Sequence, residues 1–300
     1  MHNDNKQHFL KKLHSLSQSR SPHRVFSDWL EIAAISLHQL PYHSQALRQD
    51  VAFERLEQLY MERIHAYSQD DLNVFGELLA LTISALGHGQ GYRDFLGEIA
   101  GEAELLNKRG GQFFTPYPLC RAIAEMTLGD VYQAVWEKGI ITICEPAVGS
   151  GSLVIASAEA IDMQAIDPRA HVQFDCTDIS RDAFNMVYIQ LSALGLQAVV
   201  RHGNTLSDEY WEHRPTPQLR LFEQWLAPRR KAQQLVQAMQ SILAGTSSAE
   251  LEVRDSSPAS EKSSGQTLFD LEPFAGESLT RKRSTQKPDV VLDRQMDLFG

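Results

Sequence analysis

Residues 145–152 read Glu-Pro-Ala-Val-Gly-Ser-Gly-Ser, directly after a β-branched run, Gly139-Ile-Ile-Thr-Ile-Cys144, and directly before an apolar helical stretch over about 152–162. Glycines at a strand-to-helix turn let backbone pass close to a ligand, and the first amides of the helix are free to bind it. The Gly-x-Gly spacing alone discriminates little, and the third glycine of a dinucleotide fingerprint would fall at residue 154, which is Val. The acids around the turn say more. Asp178, after a second strand candidate at His171–Cys176, is placed to accept hydrogen bonds from ribose hydroxyls. Glu145, ahead of the loop, favours a ligand with a cationic group or exposed donors over a pyrophosphate. S-adenosyl-L-methionine, which carries an ammonium, a sulfonium and a ribose but no phosphate, fits both acids.

The elements that must position these residues can be read outward from the loop. Asp178 and Ser180 start a helix with Ala183, Met186, Val187, Ile189, Gln190 and Leu194 along it, and Gln197–Arg201 is a third strand candidate. This is a βαβαβ unit, half of a doubly wound sheet with parallel strands. No fourth strand is expected after His202-Gly-Asn-Thr-Leu206. A Pro-, Arg- and Trp-containing stretch leads instead to one helix over about 218–243. Upstream, apolar residues recur at helical spacing over 24–40, where Pro41 is expected to stop the helix, and again over 51–67, 72–86 and 92–106. From Gly245 the composition turns to Ser, Glu, Lys, Pro and Gly, and residues 246–287 are expected to be disordered.

Four motifs in order resemble the N6-adenine DNA methyltransferases, particularly the modification subunits of type I restriction systems. They are Gly111-Gln-Phe-Phe-Thr-Pro116, Glu145-Pro-Ala-Val-Gly-Ser-Gly-Ser-Leu153, Thr177-Asp-Ile-Ser180 and Gly203-Asn-Thr-Leu206, with Phe95-Leu-Gly-Glu-Ile99 through Lys108-Arg109 ahead of them. The resemblance spans about residues 92–212. It implies an α/β fold, a partial Rossmann-like S-adenosylmethionine-dependent methyltransferase core preceded by an N-terminal helical bundle. The expected segments are 1–106 (helical), 107–212 (cofactor-binding), 213–245 (helix) and 246–300 (tail). It further implies that Gln112, Phe113, Thr115 and Pro116 hold the methionine end of the cofactor, and that Glu145, Pro146, Ala147, Gly149, Ser150 and Gly151 form the cofactor loop. Asp178 matches the ribose-binding acid, Ile179 the residue stacking near the adenine, and Asn204 the residue reading the adenine edge. Glu145 stands where Asp is commoner in that family, and Val148 where Cys is common.

Members of the family read the flipped-out target base with an Asn/Asp-Pro-Pro-Tyr/Phe element. No such tetrapeptide occurs in the 300 residues. Two readings therefore stand open: an adenine-specific DNA methyltransferase, or a subunit of one, whose target-base groups are of an unrecognised kind or lent by a partner, or a non-catalytic S-adenosylmethionine-binding adaptor on a replication or modification complex.

The net charge of −10 is unfavourable for an autonomous nucleic-acid binder, because phosphate neutralisation supplies most non-specific affinity. DNA contact is expected through a local basic face (Lys108, Arg109, Arg201, Arg214, Arg220, Arg229, Arg230, Lys231) or through a methyltransferase or specificity subunit. No apolar run approaches a membrane span and no secretory signal is visible, so a cytoplasmic protein is expected. Three widely spaced cysteines form neither a disulfide framework nor a zinc motif, and no metal is expected. Finally, Gln295, Met296, Asp297, Leu298 and Phe299 are similar to the pentapeptide with which bacterial DNA-handling proteins bind the replication sliding clamp, and Gln266–Leu271 is a weaker second copy.

Overall fold

The apolar stripes of the N-terminal third fold into α1 (His2–Leu16), α2 (Pro22–His43), α3 (Val51–Ile64), α4 (Gln69–Leu86) and α5 (Phe95–Glu102). The computed structural model describes residues 2–17, 20–87, 91–103, 105, 114–228 and 236. Side chains start three of these helices: Asp50 accepts from the Phe53 amide, Ser68 and Asp71 form a capping box, and Asp94 accepts from the Gly97 amide. Pro41 does not stop α2 as expected. It lies in the last turn, where few backbone bonds remain to be lost, and buried Tyr42 packs on Phe53 at 5.1 Å and so anchors that turn. Helix α1 was not expected, because only a narrow stripe, Phe9, Leu13 and Leu16, marks its buried face.

Helices α6 (Tyr117–Thr127) and α7 (Val131–Lys138) lead into the sheet. Strand β1 (Ile141–Glu145), helices α8 (Ser152–Asp162) and α9 (Pro168–His171), strand β2 (Val172–Asp178), helix α10 (Arg181–Leu194) and strand β3 (Gln197–Asn204) follow in order. The three strands are parallel neighbours, as the βαβαβ reading requires. All three run further than the β-branched runs indicated. The result is that β1 ends on Glu145, β2 on Asp178 and β3 on Asn204.

The sheet does not stop at the third strand. A fourth, β4 (Glu209–Pro215), pairs antiparallel with β3, giving the order β1-β2-β3-β4. Its charged and aromatic sequence, with a proline at its end, hid it from a reading based on apolar runs. Gly203 faces Tyr210 while His202 faces Glu212, so Trp211 is the extra residue of a bulge. The bulge needs glycine opposite it, since a Cβ on Gly203 would sit 2.5 Å from the Glu209 carbonyl oxygen and 2.9 Å from the Tyr210 ring. Gly203→Ala is expected to destabilise the protein by about 2 kcal/mol in urea unfolding, the size of a small overpacking defect. Unchanged stability would mean that the bulge yields freely.

Helix α10 is buried along nearly its whole length, with the sheet on one side and α2, α4 and α5 on the other. Phe9, Trp29 and Phe95 from the N-terminal helices therefore share one apolar cluster with Ile155, Phe174 and Phe184. Residues 217–228 are helical, covering the start of the helix expected over 218–243. No described helix is long and apolar enough to cross a membrane.

Candidate cofactor site

The crevice at the carboxyl ends of β1, β2 and β3 gathers the candidate residues. The loop after β1 turns back on itself through two glycines with left-handed backbone, Gly149 (φ 58) and Gly151 (φ 105), and Gly151 is the N-cap of α8. L-residues are strained at such angles. Space is closed as well: a Cβ on Gly151 would lie 3.0 Å from Val187, and one on Gly149 3.2 Å from the Phe114 ring.

Asp178 is tied to this loop. One carboxylate oxygen accepts from the Gly149 amide at 2.8 Å, and the other accepts from the Ser180 amide at 2.8 Å, next to the start of α10. Each oxygen keeps a lone pair for a ligand hydroxyl. Glu145 accepts from the Ala147 amide at 3.1 Å, which curls the first half of the loop. The Val148 amide donates to the Thr177 carbonyl at 2.9 Å, drawing the loop against the end of β2. Asn204 accepts from the Leu206 amide at 3.0 Å through its side-chain oxygen, so its amide NH2 is the group left to meet a ligand. Thr205 donates to the Pro146 carbonyl at 2.8 Å, joining the turn after β3 to the loop after β1. Ile179 and Leu206, 60% and 99% exposed, leave an apolar surface beside these polar ends.

The described end of the Gln-Phe-Phe-Thr-Pro element reaches the same place, since Phe114 lies against Gly149, and Thr115 and exposed Pro116 precede α6. Helix α6 packs on α8 through Cys120, Ala124, Ala156 and Ala160, and Tyr117 donates to Glu159 at 2.9 Å. Gln112 and Phe113 lie outside the described residues, as do residues 295–299 and the second clamp-like copy.

The model of the family described as N-6 DNA Methylase matches residues 88–222. Over residues 88–222 the chain is similar to the N-6 DNA methylase family. No curated protein and no solved structure matches it. The N-6 DNA methylase match takes in α5 through the start of the 217–228 helix, and so includes β4 as well as the three parallel strands.

Three of the arginines expected on a basic face are engaged by groups of their own chain. Arg201 forms a two-pronged pair with Asp175 at 2.8 and 3.0 Å, Arg214 is 1% exposed beside Glu212, and Arg220 donates to the His38 carbonyl at 2.9 Å. Only Arg214 of the three is fully buried. Lys108, Arg109, Arg229, Arg230 and Lys231 lie outside the described residues.

Two site residues escaped sequence reasoning. Asp94 and Gln190 reach the glycine loop from α5 and α10. A polar residue in the middle of the apolar α10 stripe was the signal for Gln190, and an Asp in N-cap position was the signal for Asp94.

Proposed function

We propose that this protein binds S-adenosyl-L-methionine in the crevice at the carboxyl ends of β1–β3 and acts in adenine-N6 methylation of DNA. The observation that carries the reading is that Glu145, Asp178 and Asn204 each end one of three successive parallel strands, around a loop that folds through two left-handed glycines. Ligands of open α/β sheets bind at this end of the strands. When bound, the cofactor supplies an electrophilic methyl group. Asp178 holds the ribose hydroxyls with the lone pairs its backbone bonds leave over, and Glu145 offers negative charge to the cationic end. The Asn204 amide meets the adenine edge, with Ile179 against the ring. Gln112, Phe113, Thr115 and Pro116 close over the methionine end.

Target-base recognition is assigned to a partner, a methyltransferase or specificity subunit, because the Asn/Asp-Pro-Pro-Tyr/Phe element does not occur in the 300 residues and Arg201, Arg214 and Arg220 are engaged internally. The same observations support the second reading, a non-catalytic cofactor-binding adaptor in a replication or modification complex. In either role residues 295–299 dock on the sliding clamp, and the protein works in the cytoplasm.

Titration calorimetry with S-adenosylmethionine tests the shared step, with one-to-one binding as the expected result. No binding up to about 1 mM, equivalent to about −4 kcal/mol, overturns the proposal. Transfer of labelled methyl groups to DNA by the pure chain would reject the adaptor reading and the need for a partner.

A further inference from the structure

The geometry points to Asp94 as a positioning residue that sets the shape of the glycine loop from behind, an inference that rests on the proposed cofactor site. Asp94 is 4% exposed and serves as the N-cap of α5. One carboxylate oxygen accepts from the Gly97 amide at 2.9 Å and from the Gln190 side-chain amide at 2.7 Å. The other accepts from the hydroxyls of Ser150 and Ser152. These two serines flank Gly151, the residue with the most extreme left-handed angle in the loop, and are themselves 1% and 5% exposed. Gln190 closes the arrangement: its amide also donates to the Ser150 carbonyl at 2.7 Å, and its oxygen accepts from the Leu96 amide at 3.0 Å.

A buried carboxylate has about four lone-pair sites, and here each is matched by a donor. Two of the donors belong to α5 and α10, and two to the loop. The loop is thus gripped on one side by Asp94 and Gln190 and on the other by Asp178, through the Gly149 amide. Loop backbone that must stay in a left-handed turn with its amides turned to a ligand gains affinity from being held so in advance. Helix α5 is therefore linked to the proposed cofactor loop through its capping residue. Because the residue that caps it also holds the loop, a shift of α5 is felt at the loop.

The decisive variant is Ser150→Ala combined with Ser152→Ala. It removes the tie to the loop while leaving the bonds from Asp94 to Gly97 and Gln190 in place. Affinity for S-adenosylmethionine is expected to fall about tenfold, with amide exchange accelerated most across residues 147–153 and a lower unfolding temperature, because one buried oxygen of Asp94 loses both its donors. Asp94→Asn keeps the shape and one acceptor, and the serine hydroxyls can accept from its amide, so it is expected to bind more tightly than Asp94→Ala. Wild-type affinity in the double-serine variant overturns the positioning role. If the wild-type protein itself binds no S-adenosylmethionine, the proposed function falls. Amide exchange of the double-serine variant then decides the positioning role by itself: acceleration greatest at 147–153 supports it, and a uniform or unchanged pattern rejects it.

Discussion

Replacing Asp178 with alanine is expected to weaken S-adenosylmethionine binding about 100-fold, or about 2.7 kcal/mol, in titration calorimetry. Two losses combine. The first is direct, because the carboxylate is the acceptor for the ribose hydroxyls, and a hydrogen bond to a charged group contributes about 1.5–3 kcal/mol. The second is through the loop, because the Gly149 and Ser180 amides lose the acceptor they now hold at 2.8 Å. Asp178→Asn separates them. Its single carbonyl oxygen can keep one backbone bond but not both, and it offers an NH2 where the carboxylate offered a lone pair. Its affinity should fall between those of wild type and Asp178→Ala. Unchanged affinity in Asp178→Ala would refute the ribose role and leave Asp178 as a structural link between β2 and the loop.

The parts of this site that could be read from the sequence are those fixed by chain-local geometry. A glycine loop between a β-branched run and an apolar helix is a local object, and Asp178 and Asn204 follow from where the next two strands end. What the sequence hid is carried by contacts between distant segments. Asp94 meets Ser150 across 56 residues and Gln190 across 96, and no periodicity marks either pairing. Strand β4 was hidden for another reason. Its outer residues Tyr210 and Trp211 are exposed, its inward Arg214 is buried, and so its pattern of charge and apolarity is the reverse of an ordinary edge strand. Arg201, Arg214 and Arg220 meet a similar limit, since an arginine in a sequence does not say whether it faces DNA or a group of its own chain.

That buried arginine belongs to an alternating chain of charges, and breaking the chain at Glu212 is expected to have the largest effect on stability. Arg63 pairs with Glu31 at 2.6 Å, Glu31 with Arg181 at 2.9 Å, Arg181 with Glu212, and Glu212 with Arg214 at 2.5 Å. The members come from α3, α2, α10 and β4, so the chain stitches the N-terminal helices to the edge of the sheet. Arg214 is 1% exposed and lies over the rings of Phe184 and Tyr188, and Glu212 is its carboxylate partner. Glu212→Ala leaves that cation buried without its carboxylate. The expected loss at pH 7 is about 3 kcal/mol, the lower end for a broken buried pair, since Glu212 is partly open to solvent. A domain of this size should then melt on the order of 10 °C lower.

Acid separates the ionic cause from simple packing. Burial by itself pushes the Glu212 carboxyl up, but the Arg214 and Arg181 guanidiniums overrule it and hold it at about 2 instead of the ordinary 4.5. Between those values the unfolded chain binds a proton that the native protein refuses, so the contribution of Glu212 is whole above pH 4.5 and fades as the pH falls towards 2. His38, packed beside Tyr188 and Arg220, adds an earlier onset. Burial, aided by Arg220, lowers it from 6.5 to about 2, so it stays neutral while the unfolded chain takes up a proton below pH 6.5. Wild-type stability should therefore decline in two stages, first below pH 6.5 and again below pH 4.5. Glu212→Ala should keep the first stage and lose the second, so that wild type and variant converge in acid. A gap between them that stays constant from neutral pH to about pH 3 would rule out charge and leave the lost side-chain contacts as the cause.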